Sequence, residues 1–392
     1  MSVRPLPEKV GVGFQSEQKL TNTYREVNAG HCWYYFVTPD SWAWPEHPVV
    51  EKNRIKIDGF SPNLNKKLHV GHLRQLAIAN CLKSVLPHAD FVSLLGTTGI
   101  LKQSVDDLNE WFNFLDFKPK LYYDALMPQD LEIVPRKNGE GDKEGALVWD
   151  GPHGPVVVMR KADEFGFRRT TYAFHDLAFA ATVKPDYYLT GVEQVKHFHD
   201  LGLESKHLPM GLVMDADRKK LKSRNGDVFM AEDAFRLVQE AMQPVPDPKR
   251  IIWNVIAWNM LANSRTTYVQ FEPERWVKPE SPGMYISYTW ARLKSALGSV
   301  DSEGSTEMNQ SDVDLVGYSQ YSYFHVIKTQ ATMDAVGLAN YLYNLCRRVT
   351  KAYHSEKIRD GRPGFRFAIG KCFNVISYCM KMLGMFPIHM RD

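Results

Sequence analysis

Polar and apolar residues alternate at Arg54-Ile55-Lys56-Ile57-Asp58, the period of a half-buried strand. Gly59-Phe60-Ser61-Pro62-Asn63 breaks that alternation. The spacing then changes: Leu73, Leu76, Ala77, Cys81 and Val85 recur at helical intervals, which predicts a helix over about 70–86 with Pro87 just beyond its end. Residues 89–95 read as a second strand. Strand, loop, helix, strand is a βαβ unit, so a parallel sheet with a right-handed crossover is expected. Further strand-like runs lie at 156–159, 187–189 and 211–214, with a helix near 175–183. After about Pro246 the spacing becomes helical throughout, at 251–261, 286–297, 323–332, 337–353 and 366–383.

The pattern divides the chain. Residues 1–50 read as an appended segment, with aromatics and prolines crowding 32–48 without a clear period. Residues 51–245 form an α/β domain, with 101–165 read as an insertion because it is mixed in character and carries the turn Asn138-Gly139-Glu140-Gly141. Residues 246–392 form a helical domain. There is no internal repeat or low-complexity tract. The length of 392 residues suits two or three domains.

Composition narrows the function classes. With 44% hydrophobic and 24% charged residues the chain is ordinary for a soluble globular protein. A net charge of +3 does not by itself imply a nucleic-acid partner, so any basic surface has to be local. Cys32, Cys81, Cys346, Cys372 and Cys379 are scattered, which argues against a zinc site or disulfide framework and fits a reducing cytosol. Residues 1–18 lack the apolar core of a signal peptide, and no run of about eighteen apolar residues occurs. A monomeric cytoplasmic protein without membrane contact is expected.

The first chemical constellation is Ser61-Pro62-Asn63-Leu64-Asn65-Lys66-Lys67-Leu68-His69-Val70-Gly71-His72-Leu73-Arg74, where the strand passes into the helix. Ligands of open parallel sheets bind beyond the carboxyl ends of strands, and a helix N-terminus suits phosphate. His69 and His72 share one face and can donate to phosphate oxygens as charge builds at an attacked phosphorus. Gly71 permits close approach to the backbone, and Lys66 adds a mobile positive charge. Two histidines three apart are by themselves commonly surface or capping residues. The full H-V-G-H unit behind a strand and S-P-N is more specific: it resembles the H-I-G-H signature of class I aminoacyl-tRNA synthetases, and the wider string looks like the arginyl member.

The second constellation, Asp217-Arg218-Lys219-Lys220-Leu221-Lys222-Ser223-Arg224-Asn225-Gly226-Asp227, comes about 150 residues later. A charge run alone is usually a solvated face. Here it resembles the K-M-S-K-S loop of class I synthetases, which holds the ATP phosphates. Lys220, Lys222, Ser223 and Arg224 take its positions, with Ser223 where the motif's second lysine usually stands. Arginyl enzymes commonly lack that lysine, and the resemblance assigns compensation to the lysine three before the first histidine, Lys66.

A guanidinium pocket needs carboxylates and neutral acceptors in fixed geometry. Tyr172 and Asp176 lie one helical turn apart in a string that resembles the arginyl Y-A-x-x-D-L-A, and Gly191-Val192-Glu193-Gln194 resembles G-x-E-Q. The resemblance implies that Asn63 holds the α-amino or carboxylate end of arginine and that Tyr172, Asp176 and Gln194 surround its side chain. Asp58 stands where the family places glutamate, one methylene longer. His197, His199 and His207 invite a metal reading, but H-x-H is weak without further ligands, and no resident metal is expected; Mg2+ would arrive with ATP.

In the helical part, 283–292 and the neighbourhood of 338–354 resemble the arginyl anticodon-binding domain. Tyr343, Arg347, Arg348, Lys351 and Tyr353 form a basic and aromatic face suited to phosphates and unpaired bases. The resemblance covers about 53–392. It implies a doubly wound parallel-sheet catalytic domain of the Rossmann-like, H-I-G-H type with an all-α bundle, and an arginine–tRNA ligase using ATP with Mg2+, L-arginine and tRNA(Arg). Arginyl enzymes usually carry an N-terminal domain of about a hundred residues, so a shortened form is expected here. Two rivals remain open: a tRNA-independent ligase that gives activated arginine to a small molecule or peptide, and a non-catalytic paralogue.

Overall fold

The computed structural model describes residues 3–5, 13–16, 25–29 and 32–36 as strands, then residues 54–97, 99–126, 134–135, 145–215, 217–219, 229–242, 244–245, 247–298 and 308–388. The N-terminal segment, without a period in the sequence, contains four strands: β1 (Val3–Pro5), β2 (Gly13–Ser16), β3 (Arg25–Ala29) and β4 (Cys32–Phe36). They form an antiparallel sheet in the order β1-β2-β4-β3. The strands are only three to five residues long, too short for a period of two to stand out among the surrounding aromatics.

The βαβ unit continues further than expected. β5 (Lys56–Asp58), α1 (Val70–Val85), β6 (Asp90–Leu95), α2 (Lys102–Phe114) and β7 (Lys120–Tyr123) alternate without interruption. β7 pairs parallel with β6, so α2 and β7 belong to the central sheet and the insertion expected over 101–165 begins only after them. Phe112, Leu115 and Phe117 carry that correction: they are buried against α1 and the sheet, which an inserted surface segment would not supply. The later part of the span does stand apart. There β8 (Val134–Pro135), β9 (Leu147–Gly151) and β10 (Gly154–Met159) form a separate antiparallel sheet.

The chain then returns through α3 (Tyr172–Thr182), β11 (Tyr187–Gly191), α4 (Val195–Asp200) and β12 (His207–Met210). The five parallel strands lie in the order β12-β11-β5-β6-β7, a doubly wound sheet. Its strand order reverses between β5 and β11, and such a switch point opens a crevice at the strand carboxyl ends. Those ends are Asp58 and Gly191.

β13 (Val213–Met214) leads to α5 (Ala231–Ala241) and α6 (Pro248–Leu261). After β14 (Val269–Gln270), which pairs parallel with β13, the rest is helical: α7 (Pro273–Trp276), α8 (Pro282–Leu297), α9 (Gln310–Gln320), α10 (Ser322–Thr332), α11 (Val336–Ser355) and α12 (Pro363–Met382). Twelve of the sixteen residues of α1 are buried, because the sheet covers one side and α6, α10 and α12 the other. Polar bonds lock this junction. Trp253 donates from its indole to the carbonyl of Gly384 at 2.8 Å, and the amide of Gln330 donates to the carbonyl of Val85 at 2.6 Å. No helix among the described residues is long and apolar enough to cross a membrane.

Candidate active site

His69 caps α1 in extended backbone conformation. Its Nδ1 accepts the N–H of Gly71 at 3.1 Å, while Nδ1 of His72 accepts the N–H of His69 at 3.0 Å. The two rings stack with centroids 3.8 Å apart. A nitrogen that accepts carries no proton, so each neutral ring holds its proton on Nε2 as a donor. Burial, with the neighbouring His69 second, pushes His72 down to about 3, so it is neutral at physiological pH. Gly71 is required by this stack: a Cβ there would lie 2.9 Å from Cε1 of His69. Lys66 is exposed beside the same helix start, on a loop whose carbonyl accepts the Ser104 hydroxyl at 2.9 Å.

The second set of residues expected to hold the ATP phosphates, Lys220, Lys222, Ser223 and Arg224, lies outside the described residues. Both of its flanks are described. On one side the N–H of Lys219 donates to the Asp215 carboxylate at 2.8 Å, closing a turn directly after β13. On the other, Val70 donates to the carbonyl of Phe229 at 3.0 Å and Ala231 to the carbonyl of Leu68 at 2.9 Å, with His69 and Met230 bridged antiparallel. Phe229–Ala231 therefore pack along the first turn of the histidine helix.

The five residues expected to hold arginine gather around the switch point. Asp58 is 5% exposed at the end of β5. The Ser61 hydroxyl donates to its carboxylate and accepts the N–H of Leu94 at 2.7 Å. Burial pushes the Asp58 carboxyl up to about 7; the Ser61 bond opposes this and the charge of Asp176 adds to it. Asn63 donates to the Tyr172 hydroxyl at 2.9 Å, tying the loop after β5 to the start of α3. One turn along α3, Asp176 accepts from Nε2 of His197 at 2.6 Å. Gln194 is exposed in the short turn that succeeds β11. Asp58, Asn63, Tyr172 and Asp176 thus meet at the crevice, and Gln194 stands at its β11 edge.

Sequence spacing does not single out three neighbours of this site. Ser61 lies inside the first motif without a role of its own, His197 invites only a metal reading, and Tyr188 looks like an ordinary strand residue. Tyr188 pairs with Asp58 across the sheet, its hydroxyl is buried without a hydrogen-bond partner, and burial with the charges of Asp58 and Asp176 raises its pKa. The histidines considered for metal diverge: His197 binds Asp176, His199 stacks on His153 at 3.9 Å, and His207 pairs with the Thr190 hydroxyl at 2.8 Å. No cluster that could hold a metal ion occurs among the described residues.

On α11 the side chains of Arg347, Arg348 and Lys351 are exposed. The rings of the face are partly occupied within the protein. Tyr343 packs edge-on against Trp258 at 6.1 Å and Tyr285 at 5.7 Å, Arg348 lies 4.0 Å over Tyr318, and Arg292 lies 4.4 Å over Tyr353. A groove of about 560 Å³ runs between α8 and α11 past Tyr285, Tyr288, Arg292 and Tyr353. Tyr288, 61% exposed, is its most open ring; helical spacing alone does not reveal it, because spacing does not say which aromatics face solvent.

No family model matches the chain. Among curated proteins it is 23% identical over 452 residues to the arginine–tRNA ligase of Lactiplantibacillus plantarum, covering 86% of this chain and 80% of that one. It is 26% identical over 316 residues to that of Leuconostoc citreum, covering 70% of this chain but only 55% of the relative. Among solved structures it superposes on the arginyl-tRNA synthetase of Plasmodium falciparum with a TM-score of 0.67 at 14% identity, covering 98% of this chain and 94% of that one. The Thermus thermophilus arginyl-tRNA synthetase gives 0.64 at 16%, covering 98% and 89%. The chain is a homologue of the arginyl-tRNA synthetases. The same fold likeness extends to the methionyl-tRNA synthetase of Mycobacterium tuberculosis, at a TM-score of 0.59 and 9% identity over 85% of this chain and 92% of that one. The doubly wound sheet and the helical region after it are the fold that this synthetase homologue shares with these structures.

Proposed function

We propose that the chain is an arginine–tRNA ligase. An arginine carboxylate oxygen attacks the α-phosphorus of Mg2+-bound ATP, pyrophosphate leaves, and arginyl-adenylate forms. The 2′-hydroxyl of the terminal adenosine of tRNA(Arg) then attacks the arginyl carbonyl and AMP leaves. His69 and His72 donate from Nε2 to phosphate oxygens, and Gly71 lets the nucleotide approach the helix start. Lys66, Lys220 and Lys222 offset the growing negative charge, and Ser223 and Arg224 complete the grip. Asp58, Tyr172, Asp176 and Gln194 surround the side chain with its guanidinium, and Asn63 holds the α-amino or carboxylate end. Positioning and fixed charge supply the catalysis, with no protein nucleophile. Tyr343, Arg347, Arg348, Lys351 and Tyr353 provide a face for the anticodon arm.

The observation that carries this reading is the juxtaposition at one switch point of buried Asp58 with half-buried Asp176 and a bis-imidazole helix start, against which Phe229–Ala231 are bonded. Arginine-dependent acylation of total tRNA, with lysine and canavanine as controls, tests it, together with pyrophosphate exchange with and without tRNA. Charging with arginine is expected. No charging, and no exchange under either condition, would overturn the proposal.

A further inference from the structure

Two phenylalanines stand out on the link from β10 to α3. Phe165 is 76% and Phe167 72% exposed, and Tyr172, five residues on, is 67% exposed. Among the described residues these are the three most exposed aromatic side chains, and they fall within eight positions of one another. The backbone around them forms a defined turn. The Asp163 carboxylate accepts the N–H of Phe165 at 3.0 Å and of Phe167 at 2.9 Å, and the N–H of Asp163 donates back to the Phe167 carbonyl at 2.9 Å. Gly166 takes a positive φ of 83° to complete the turn, and Arg160 donates to the Arg169 carbonyl at 2.8 Å below it. A hydrogen-bonded hairpin tip thus presents two rings to solvent, where an apolar side chain gains nothing unless something covers it.

The surroundings specify the chemistry of what covers it. Arg160, Lys161, Arg168 and Arg169 are all exposed around the tip, against Asp163, whose carboxylate is taken up by the turn, and Glu164. Exposed rings interleaved with cations fit unpaired bases and their phosphates, every base having a face to stack. The hairpin also feeds straight into the site: Thr171 donates to the Val158 carbonyl at 2.9 Å, and the next residue is Tyr172, bonded to Asn63.

We infer that the 160–170 hairpin is a stacking platform for the unpaired 3′ end of the acceptor RNA, with Phe165 and Phe167 under successive bases. This rests on the tRNA ligase reading, since it assigns a path to the acceptor strand of that reaction. The test compares wild type with F165L/F167L, which stays apolar but cannot stack, and with F165W/F167W, which can. The probe is a 5′-labelled single-stranded RNA ending in CCA, monitored by fluorescence anisotropy, alongside tRNA charging. A loss of about tenfold or more in RNA affinity is expected for the leucine pair, with recovery in the tryptophan pair and unchanged KM for arginine and ATP. Equal RNA affinity in all three proteins, or no binding by wild type, overturns the inference and assigns the tip to another partner such as a protein. Phenylalanine-dependent RNA binding without arginine charging by wild type would instead sink the ligase reading and leave the platform standing.

Discussion

Nη1 of Arg74, deep in α1, donates to the carbonyl of Gly211 at 2.8 Å. The same guanidinium reaches the carbonyls of Leu212 at 3.3 Å, Ser264 at 3.2 Å and Arg265 at 3.1 Å, and the side chain is fully buried. Arg74 comes two residues after His72, and Leu212 directly precedes β13, from which the cationic segment departs. One buried cation therefore fixes the histidine helix relative to the strand that launches the lysines. Arg74→Met strands four carbonyls and Arg74→Lys loses the planar fork. Either change is expected to destabilise the fold by about 3 kcal/mol or more, measured by urea denaturation. A change within about 0.5 kcal/mol would show that the clamp is dispensable.

If the acidic pair holds arginine as proposed, arginine affinity is expected to depend on pH. The Asp58 carboxyl titrates near 7 in the folded chain against an ordinary 3.8, chiefly through burial. Its raised pKa means the folded state holds the proton more tightly. The resulting stability is fully present below pH 3.8 and is lost as pH rises through 7, at about 1.4 kcal/mol per pH unit between these values. A guanidinium needs the ionised form, so arginine binding releases a proton and tightens between about pH 6 and 8. Calorimetric titration across that range should show the trend in wild type and a flat, weaker response in Asp58→Asn. An unchanged slope in the variant would assign the proton elsewhere.

On the proposed function, His197 is expected to position Asp176 for the substrate. Its Nε2 lies 2.6 Å from the Asp176 carboxylate, which orients one oxygen and leaves the other for a ligand. His197→Ala is expected to raise KM for arginine about tenfold, worth about 1.4 kcal/mol, with a smaller change in kcat. Asp176→Asn should do more, because it removes the charge itself. If His197→Ala lowered kcat and left KM untouched, a positioning role would be excluded.

The histidine stack predicts a specific failure. In Gly71→Ala the new methyl would meet Cε1 of His69 at 2.9 Å, so the ring must leave its stack on His72. Pyrophosphate exchange is expected to fall roughly 10–100-fold, an effect of the order seen for one lost phosphate donor, while the denaturation midpoint moves little. Because burial keeps His72 neutral down to about pH 3, no acid limb of the rate profile between about pH 5 and 8 should disappear in His72→Asn. Loss of such a limb would reassign it.

Much of the site is legible in the sequence because its chemistry is local there. The strand–loop–helix from Arg54 onward, the paired imidazoles and the Tyr172–Asp176 turn each sit within one or two elements, where period and spacing speak directly. Lys102–Phe114 and Lys120–Tyr123 have polar faces that resemble an inserted surface segment. Only pairing with β6 and burial of Phe112 and Phe117 place them in the sheet. Tyr343 has the spacing of an open ring on a basic face, and packing against Trp258 closes much of it.

The sequence by itself determined which groups are present and where charge and aromaticity concentrate: the imidazole pair, the lysine-rich run, the carboxylates and the two chain regions of different period. The tertiary structure decided which of them act on one another. Asp58 and Asp176 are 118 positions apart (176 minus 58), and the charge of Asp176 bears on the Asp58 carboxyl only because β5 and α3 converge at one switch point. Burial and long-range contact have no period, so the raised Asp58 carboxyl, the His197 bond and the Arg74 clamp are products of packing alone.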